Sequence, residues 1–185
     1  MTFSWAIEEN DVFLYDISVK GNITTGTTTV PPQFLPMNNT RIAVEIISLP
    51  NVTITFYSND FIEDTVEYVK TSTTFSNGSD IPVEFYYVFN TQVSKCILPI
   101  GGWGHLDSLF PNDIERPVAP HESYLSAWLN DYFVFGFSSN DTNRHTEWHG
   151  IIDPLTGVPQ VIILYNYWVS PPWTYWYNIS MTLVT

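Results

Sequence analysis

The run from Arg144 to Val169 constrains the fold of this chain more than any other stretch, because it reads as two strands joined by Asp153-Pro154-Leu155-Thr156-Gly157. Pro154 presets φ at the first turn corner, and Gly157 can take the positive φ that closes such a loop. In the second arm Val161, Ile163, Tyr165 and Tyr167 alternate with Ile162, Leu164 and Trp168, so both faces are apolar. Such a strand is expected inside a sheet covered on both sides. The first arm divides differently: Thr146, Trp148 and Ile152 share one face, and His145, Glu147 and His149 share the other. Trp148 and Ile152 are predicted to be core.

The same alternation recurs along the chain. Val12 to Val19 places Phe13, Tyr15, Ile17 and Val19 on one face, and Gly21 to Thr29 reads as a loop. Thr40 to Ser48 and Val52 to Phe56 form a hairpin around Leu49-Pro50-Asn51, while Asp64 to Phe75 and Pro82 to Val93 read as strands flanking Asn77-Gly78, a strong hairpin signal. Leu106, Leu109 and Phe110 suggest a short helical turn. Tyr124, Leu125, Trp128 and Leu129 suggest an amphipathic helix over His121 to Asp131. Tyr132 to Phe137 returns to strand, Ser138 to Asn143 is a polar loop, and the last strand carries Trp173, Tyr175, Tyr177, Ile179, Met181 and Leu183 on one face. The expected fold is mainly β: an antiparallel curved sheet or barrel-like fold of about nine strands, with one helical insertion over residues 104–131. Residues 1–185 are expected to form a single domain.

Charge decides which partners are excluded. Six Lys and Arg against nineteen Asp and Glu give a net charge of −13, which repels a phosphate backbone, so nucleic acid is not an expected partner. Only 14% of residues are charged while 16% are aromatic, and something other than charge must keep the surface hydrated. Asn22, Asn38, Asn51, Asn77, Asn140 and Asn178 each begin an Asn-x-Ser/Thr sequon, six where the Ser and Thr content predicts about two or three. All six fall in expected loops or on polar strand faces, as a glycan requires. An N-glycosylated protein at the cell surface, outside the cell, is therefore expected. Any export signal or anchor is expected outside this chain, since no run reaches the ~20 apolar residues of a membrane helix. The single cysteine, Cys96, lies in an apolar run and is predicted to be a buried thiol acting as a small hydrophobe.

Two groups of side chains invite chemistry. His145, Glu147 and His149 are spaced so that strand alternation puts them on one face about 7 Å apart, a geometry open to zinc or another divalent metal, with a fourth ligand from His105, His121 or Asp131. A solvent-facing polar strand produces the same pattern. Trp168, Trp173 and Trp176 offer flat rings on which a sugar or a lipid chain could lie, and Trp176 interrupts the polar face of its strand. Rings that cover a sheet edge give that pattern too. Catalysis has little support: no Gly-x-Ser-x-Gly elbow occurs, Gly101-Gly102-Trp103-Gly104 lacks the Lys-Ser/Thr ending of a phosphate loop, and nothing singles out a pair of carboxylates. The expectation is that the chain is not an enzyme and needs no cofactor.

Three segments carry a family resemblance. Phe3 to Tyr15 runs Trp5, then Glu9-Asn10-Asp11 where a Gly-Asp pair is usual, then an aromatic strand; Leu98 to Trp103 and the Trp148 to Gly157 strand and turn complete the set. In these the chain resembles archaeal cell-surface proteins of the "choice-of-anchor" kind, secreted domains held by differing C-terminal anchors. The resemblance implies an extracellular β-rich domain, similar to the curved-sheet lipoprotein carriers, and transfers no catalytic residue. The leading expectation is a non-catalytic domain that binds a carbohydrate, a lipid or a surface protein through aromatic side chains. The alternatives are a structural subunit of a filament or surface layer, self-assembled by strand addition at an exposed edge, and a metal-dependent enzyme using the His145 face.

Overall fold

The structure, a computed structural model, describes residues 3–52, 68–109, 116–119 and 121–185. Its strands are β1 (Val12–Thr25), β2 (Thr28–Val30), β3 (Arg41–Ser48), β4 (Lys70–Phe75), β5 (Arg116–Ala119), β6 (Glu122–Leu129), β7 (Tyr132–Asp141), β8 (Arg144–Ile152), β9 (Pro159–Ser170) and β10 (Trp173–Leu183). Nine of them make one antiparallel path, β4-β3-β1-β10-β9-β8-β7-β6-β5, and the three-residue β2 folds back on β1. The sheet is curved and does not close. The mainly β expectation therefore stands, as an open sheet with β4 and β5 at its ends rather than as a barrel.

One face of this sheet, here the inner face, carries the core. Along β1 the buried positions are Tyr15, Ile17 and Val19, along β3 Ile42, Val44 and Ile46, and along β10 Ile179 and Met181, every second residue in each case. Ile162 and Leu164 of β9, Trp148 and Ile152 of β8, and Phe133 and Phe135 of β7 continue the layer. Cross-strand pairs such as Met181 with Ile162 and Leu164 with Trp148 put these side chains directly beside one another. Each such ring or branched side chain contributes about 1.5–3 kcal/mol by leaving water.

Helical segments lie over the inner face. The helical run α1 spans residues 83–96, as Val83–Tyr87, a π turn Val88–Gln92, and Val93–Cys96. A second helix, α2, spans Trp103–Leu109. Phe85, Phe89, Val93 and Cys96 face the core, whereas Val83, Tyr86 and Tyr87 are exposed. The last turn of α1 rests on β8 and β9, where Gly150 makes room: a Cβ there would stand 3.0 Å from Cys96 Cβ and 3.2 Å from its Sγ. Cys96 is wholly buried, as predicted for a small hydrophobe, and burial pushes its thiol pKa up.

The β8–β9 turn behaves as its residues predict. Gly157 has φ 72°, and its N–H donates to Asp153 O at 2.8 Å. It also docks the segment after α1, since Leu98 N–H donates to Gly157 O at 3.0 Å and any Cβ on Gly157 would overlap the Leu98 carbonyl oxygen. Asp153 Oδ1 accepts from Leu155 N–H at 2.9 Å, and Trp103 Nε1 donates to Pro154 O at 2.9 Å.

Two predicted elements are corrected. Pro82 to Val93 is helix rather than strand: the alternating aromatics concealed the spacing of Phe85, Phe89, Val93 and Cys96, three turns of one helical face. Conversely, the helix expected over His121 to Asp131, within the insertion at 104–131, is strand β6, paired with β7 from Glu122↔Ser139 to Leu129↔Tyr132. Leu125 and Trp128 lie on opposite sides of that strand, and Asn130, at φ 54°, heads the two-residue turn Asn130-Asp131 that reverses the chain. Among the described residues the short helix nearby is α2 alone. Strands also run further than expected, β1 through Asn22 to Thr25 and β7 through Asn140 to Asp141. The strands expected at Val52 to Phe56 and from Asp64 lie outside the described residues up to residue 67, as does Phe110.

The second arm of the opening hairpin is central in the sheet but covered on the inner face only, among the described residues. Ile162 and Leu164 are buried, while Val161, Ile163 and Tyr165 are half-buried on the outer face. Shielding there comes from neighbours within the sheet: Ile163 stands between Ser180 and His149, and Val161 between Thr182 and Ile151.

Candidate functional site

Beyond the last apolar row of the inner face, the register of β7 to β10 sets up a different surface. Ile179, Leu164, Trp148 and Phe137 form the final core row. The next row is polar: Tyr177, Asn166, Thr146 and Ser139 stand side by side, followed by Tyr175, Trp168, Arg144 and Asp141. The four strands thus bring an aromatic ledge next to a polar floor.

Asn166 is the anomaly in that floor. It is only 8% exposed, and its Oδ1 is buried with no hydrogen-bond partner. Leaving a buried acceptor unpaired costs about 1–3 kcal/mol, so such an atom is rare in a folded protein. Around it, Arg144 Nε donates to Thr146 Oγ1 at 3.3 Å, and burial raises the Tyr177 phenol pKa, while hydrogen bonding from Asn166 and the nearby Arg144 charge oppose the rise. Phe34 packs on Tyr177 with centroids 4.9 Å apart, Tyr177 stacks with Tyr175 at 6.4 Å, and Tyr175 meets Trp168 edge to face at 5.2 Å. The aromatic chain therefore climbs from the core to the surface, where Trp168 is 41% and Trp173 49% exposed. Trp173 stands at the mouth of the β9–β10 hairpin, opposite Ser170, beside the cis Pro171–Pro172 bond.

The three tryptophans predicted as one platform do not form one. Trp168 and Trp173 belong to the inner face, but Trp176 alternates to the outer face, where it is half-buried opposite Asn22 and Tyr167. Asn166, Tyr175, Thr146 and Arg144 were missed. A signal for Asn166 was present: it interrupts the apolar alternation Ile162, Leu164, Trp168 with an amide that no strand needs there.

His145, Glu147 and His149 do share the outer face of β8. Glu147 sits between the imidazoles, its Oε2 3.3 Å from His145 Nε2 and its Oε1 2.8 Å from His149 Nδ1. Hydrogen bonding to His149, and then to His145, holds its carboxyl below the usual carboxylate range against partial burial. Both carboxylate oxygens are thus engaged within the row, and among the described residues no three of His, Cys, Asp or Glu gather to hold a metal ion. Of the residues considered as a fourth ligand, His105 is on α2 over the inner face, beside Phe3, and His121 and Asp131 are in turns at either end of β6.

The sequon residues divide by place. Asn51 is exposed in a loop and Asn77 in a turn, and Asn77 Oδ1 accepts from both Ser79 N–H and Ser79 Oγ, at 3.0 and 2.7 Å. Asn38 follows a 3-10 turn, Leu35–Met37, and its Oδ1 accepts from Val19 N–H at 2.8 Å. Asn22, Asn178 and Asn140 lie on the outer face of β1, β10 and β7, where Asn22 opposes Trp176, Asn178 opposes Tyr165, and Asn140 opposes His145.

A further pair of unpartnered atoms, Asn90 Nδ2 and Gln92 Oε1, occurs in the π turn of α1, where Thr73 Oγ1 donates to Asn90 Oδ1 at 2.7 Å. They adjoin a groove lined by Tyr68, Lys70, Thr71, Thr91 and Ser94, with no exposed ring comparable to Trp168 among the described residues.

No family model matches the chain, and no curated protein matches it. Among solved structures it is similar to the isotype 1 transferrin binding protein B from serogroup B Neisseria meningitidis, at 7% identity and a TM-score of 0.27, over 96% of this chain and 25% of that one. The chain thus spans a quarter of that protein's length, and a likeness of this degree carries no argument about fold or function. No described helix is long and apolar enough to cross a membrane.

Proposed function

We propose that this chain is a non-catalytic, N-glycosylated binding domain displayed at a cell surface, and that it takes a carbohydrate on the inner-face ledge of β8 to β10. One observation carries the reading: the unpartnered Oδ1 of Asn166 lies beside the exposed ring of Trp168. A pyranose offers what such a place lacks, a hydroxyl donor for the amide oxygen and a flat C–H face for the ring. Arg144 and Thr146 supply further polar contacts at the same level, which suit hydroxyl groups better than a lipid tail. The sequon excess and the resemblance to choice-of-anchor proteins support an exported setting.

The other readings have less behind them. Strand donation by the N-terminal segment has less to use, because among the described residues β1 is already paired, with β3 through Val12–Asp16 and with β10 through Tyr15–Thr25. The β5 edge is four residues long and contains Pro117, a poor template for a further strand. A metal enzyme on the His145 row would have to break both contacts of Glu147.

The test is tryptophan fluorescence and calorimetry with oligomers of glucose, mannose, galactose and N-acetylglucosamine. At least one series should bind the parent chain, and Trp168→Ala should weaken binding at least tenfold, about 1.4 kcal/mol. Binding by none of them overturns the carbohydrate reading. An unmodified mass for protein made in its own host overturns the glycoprotein part.

A further inference from the structure

The outer face of the same strands presents rings that the ledge does not use. Trp176, Tyr167 and Tyr165 are grouped there by register, Trp176 opposite Tyr167 and two residues before Asn178, Tyr165 opposite Asn178. Trp176 has Asn22 on its other side, so each of the three rings is opposite, diagonal to or in strand alternation with a sequon asparagine. Directly opposed residues hold their Cβ atoms about 4.5–5.5 Å apart, close enough for the first sugar of a glycan to reach the neighbouring ring. Alternation also puts Thr24 and Ser180, the hydroxyl residues of the two sequons, on the same face as Asn22 and Asn178.

We infer that this face is the seat of the chain's own glycans: sugars on Asn22 and Asn178 lie against Trp176 and Tyr165 and cover the outer-face rings. The inference rests on the glycoprotein reading above and is independent of the ledge. The linkage is the ordinary one. The asparagine amide nitrogen forms a C–N bond to the anomeric carbon of a lipid-phosphate-linked oligosaccharide, the anomeric C–O bond to phosphate breaks, and the amide proton leaves to a base of the transferring enzyme. Asn77, exposed at its turn with its Oδ1 accepting from Ser79 of its own sequon, is the internal control.

The experiment combines site-by-site mass measurement of natively made protein with two double-mutant cycles, Asn22→Gln with Trp176→Ala and Asn178→Gln with Tyr165→Ala, read by urea unfolding. In the parent, removing either glycan should raise the unfolding constant about three- to tenfold. In the matching ring-to-Ala background the same removal should change it less than about twofold, as should Asn77→Gln in the parent. Occupied sites with no coupling overturn the seat and leave the glycoprotein reading standing; unoccupied Asn22 and Asn178 overturn the seat, and an entirely unmodified chain overturns both. If Trp176→Ala does not fold, the Asn178 and Tyr165 cycle decides.

Discussion

The inner and outer faces of β8 to β10 are made from alternate residues of the same strands, yet they treat polar atoms in opposite ways. On the outer face Glu147 has both oxygens engaged, by His145 and His149. On the inner face Asn166, more deeply buried, has an oxygen with nothing to accept. In the polar row, hydrogen bonds offset the cost of partial burial. An unsatisfied buried acceptor at the edge of an aromatic ledge keeps that cost until it finds a donor.

The largest test of this contrast is stability. Phe135→Ala, on the inner face, should cost about 3–5 kcal/mol in urea unfolding, whereas Tyr167→Ala on the outer face of unglycosylated protein should stay within about 0.5 kcal/mol. Equal effects would break the division into core and surface. Next comes Gly150→Val, which forces atoms into the seat of Cys96 and should cost about 1–3 kcal/mol in the same measurement.

Asn166→Leu sharpens the comparison, because its effects on stability and on binding differ in size. It removes the orphaned Oδ1 together with the hydrogen bond from Asn166 to Tyr177, so stability should change by less than about 1 kcal/mol, while calorimetry should show loss of carbohydrate binding. A larger loss of stability would mean that the oxygen already has a partner. The smallest effect concerns pH. Glu147 has a folded pKa below its unfolded value, so its contribution is present above the unfolded carboxylate pKa and is lost as pH falls through the folded one. Acid unfolding curves of Glu147→Gln should lack that component, and identical curves for parent and variant would show that the His145 row contributes nothing.

Much of the architecture was legible because strand alternation writes burial directly into spacing. The core positions Tyr15, Ile17, Val19, Trp148, Ile152, Ile179 and Met181 follow from it, and so does the shared face of His145, Glu147 and His149. Legibility failed where two periods fit the same residues. Tyr124, Leu125, Trp128 and Leu129 match a helix at positions i, i+1, i+4 and i+5, and they also match a strand apolar on both faces. The Asn130-Asp131 turn was the better guide. In 83–96 the error ran the other way, because aromatics at every second position masked the buried helical set.

The site was less legible than the fold. Trp168 and Trp173 could be chosen for their rings, but only the register shows that they share the inner face with Asn166 while Trp176 stands across the sheet from them. The residues of this chain by themselves determined the β8–β9 hairpin and its turn, the buried side of β1, β3, β8 and β10, and the six sequons. Tertiary structure decided which strands lie side by side, which face α1 covers, and therefore which polar atoms find partners. The physical reason is range: alternation and turn chemistry act over a few residues, whereas satisfying Asn166 or placing Asn22 beside Trp176 depends on strands whose order no local pattern contains.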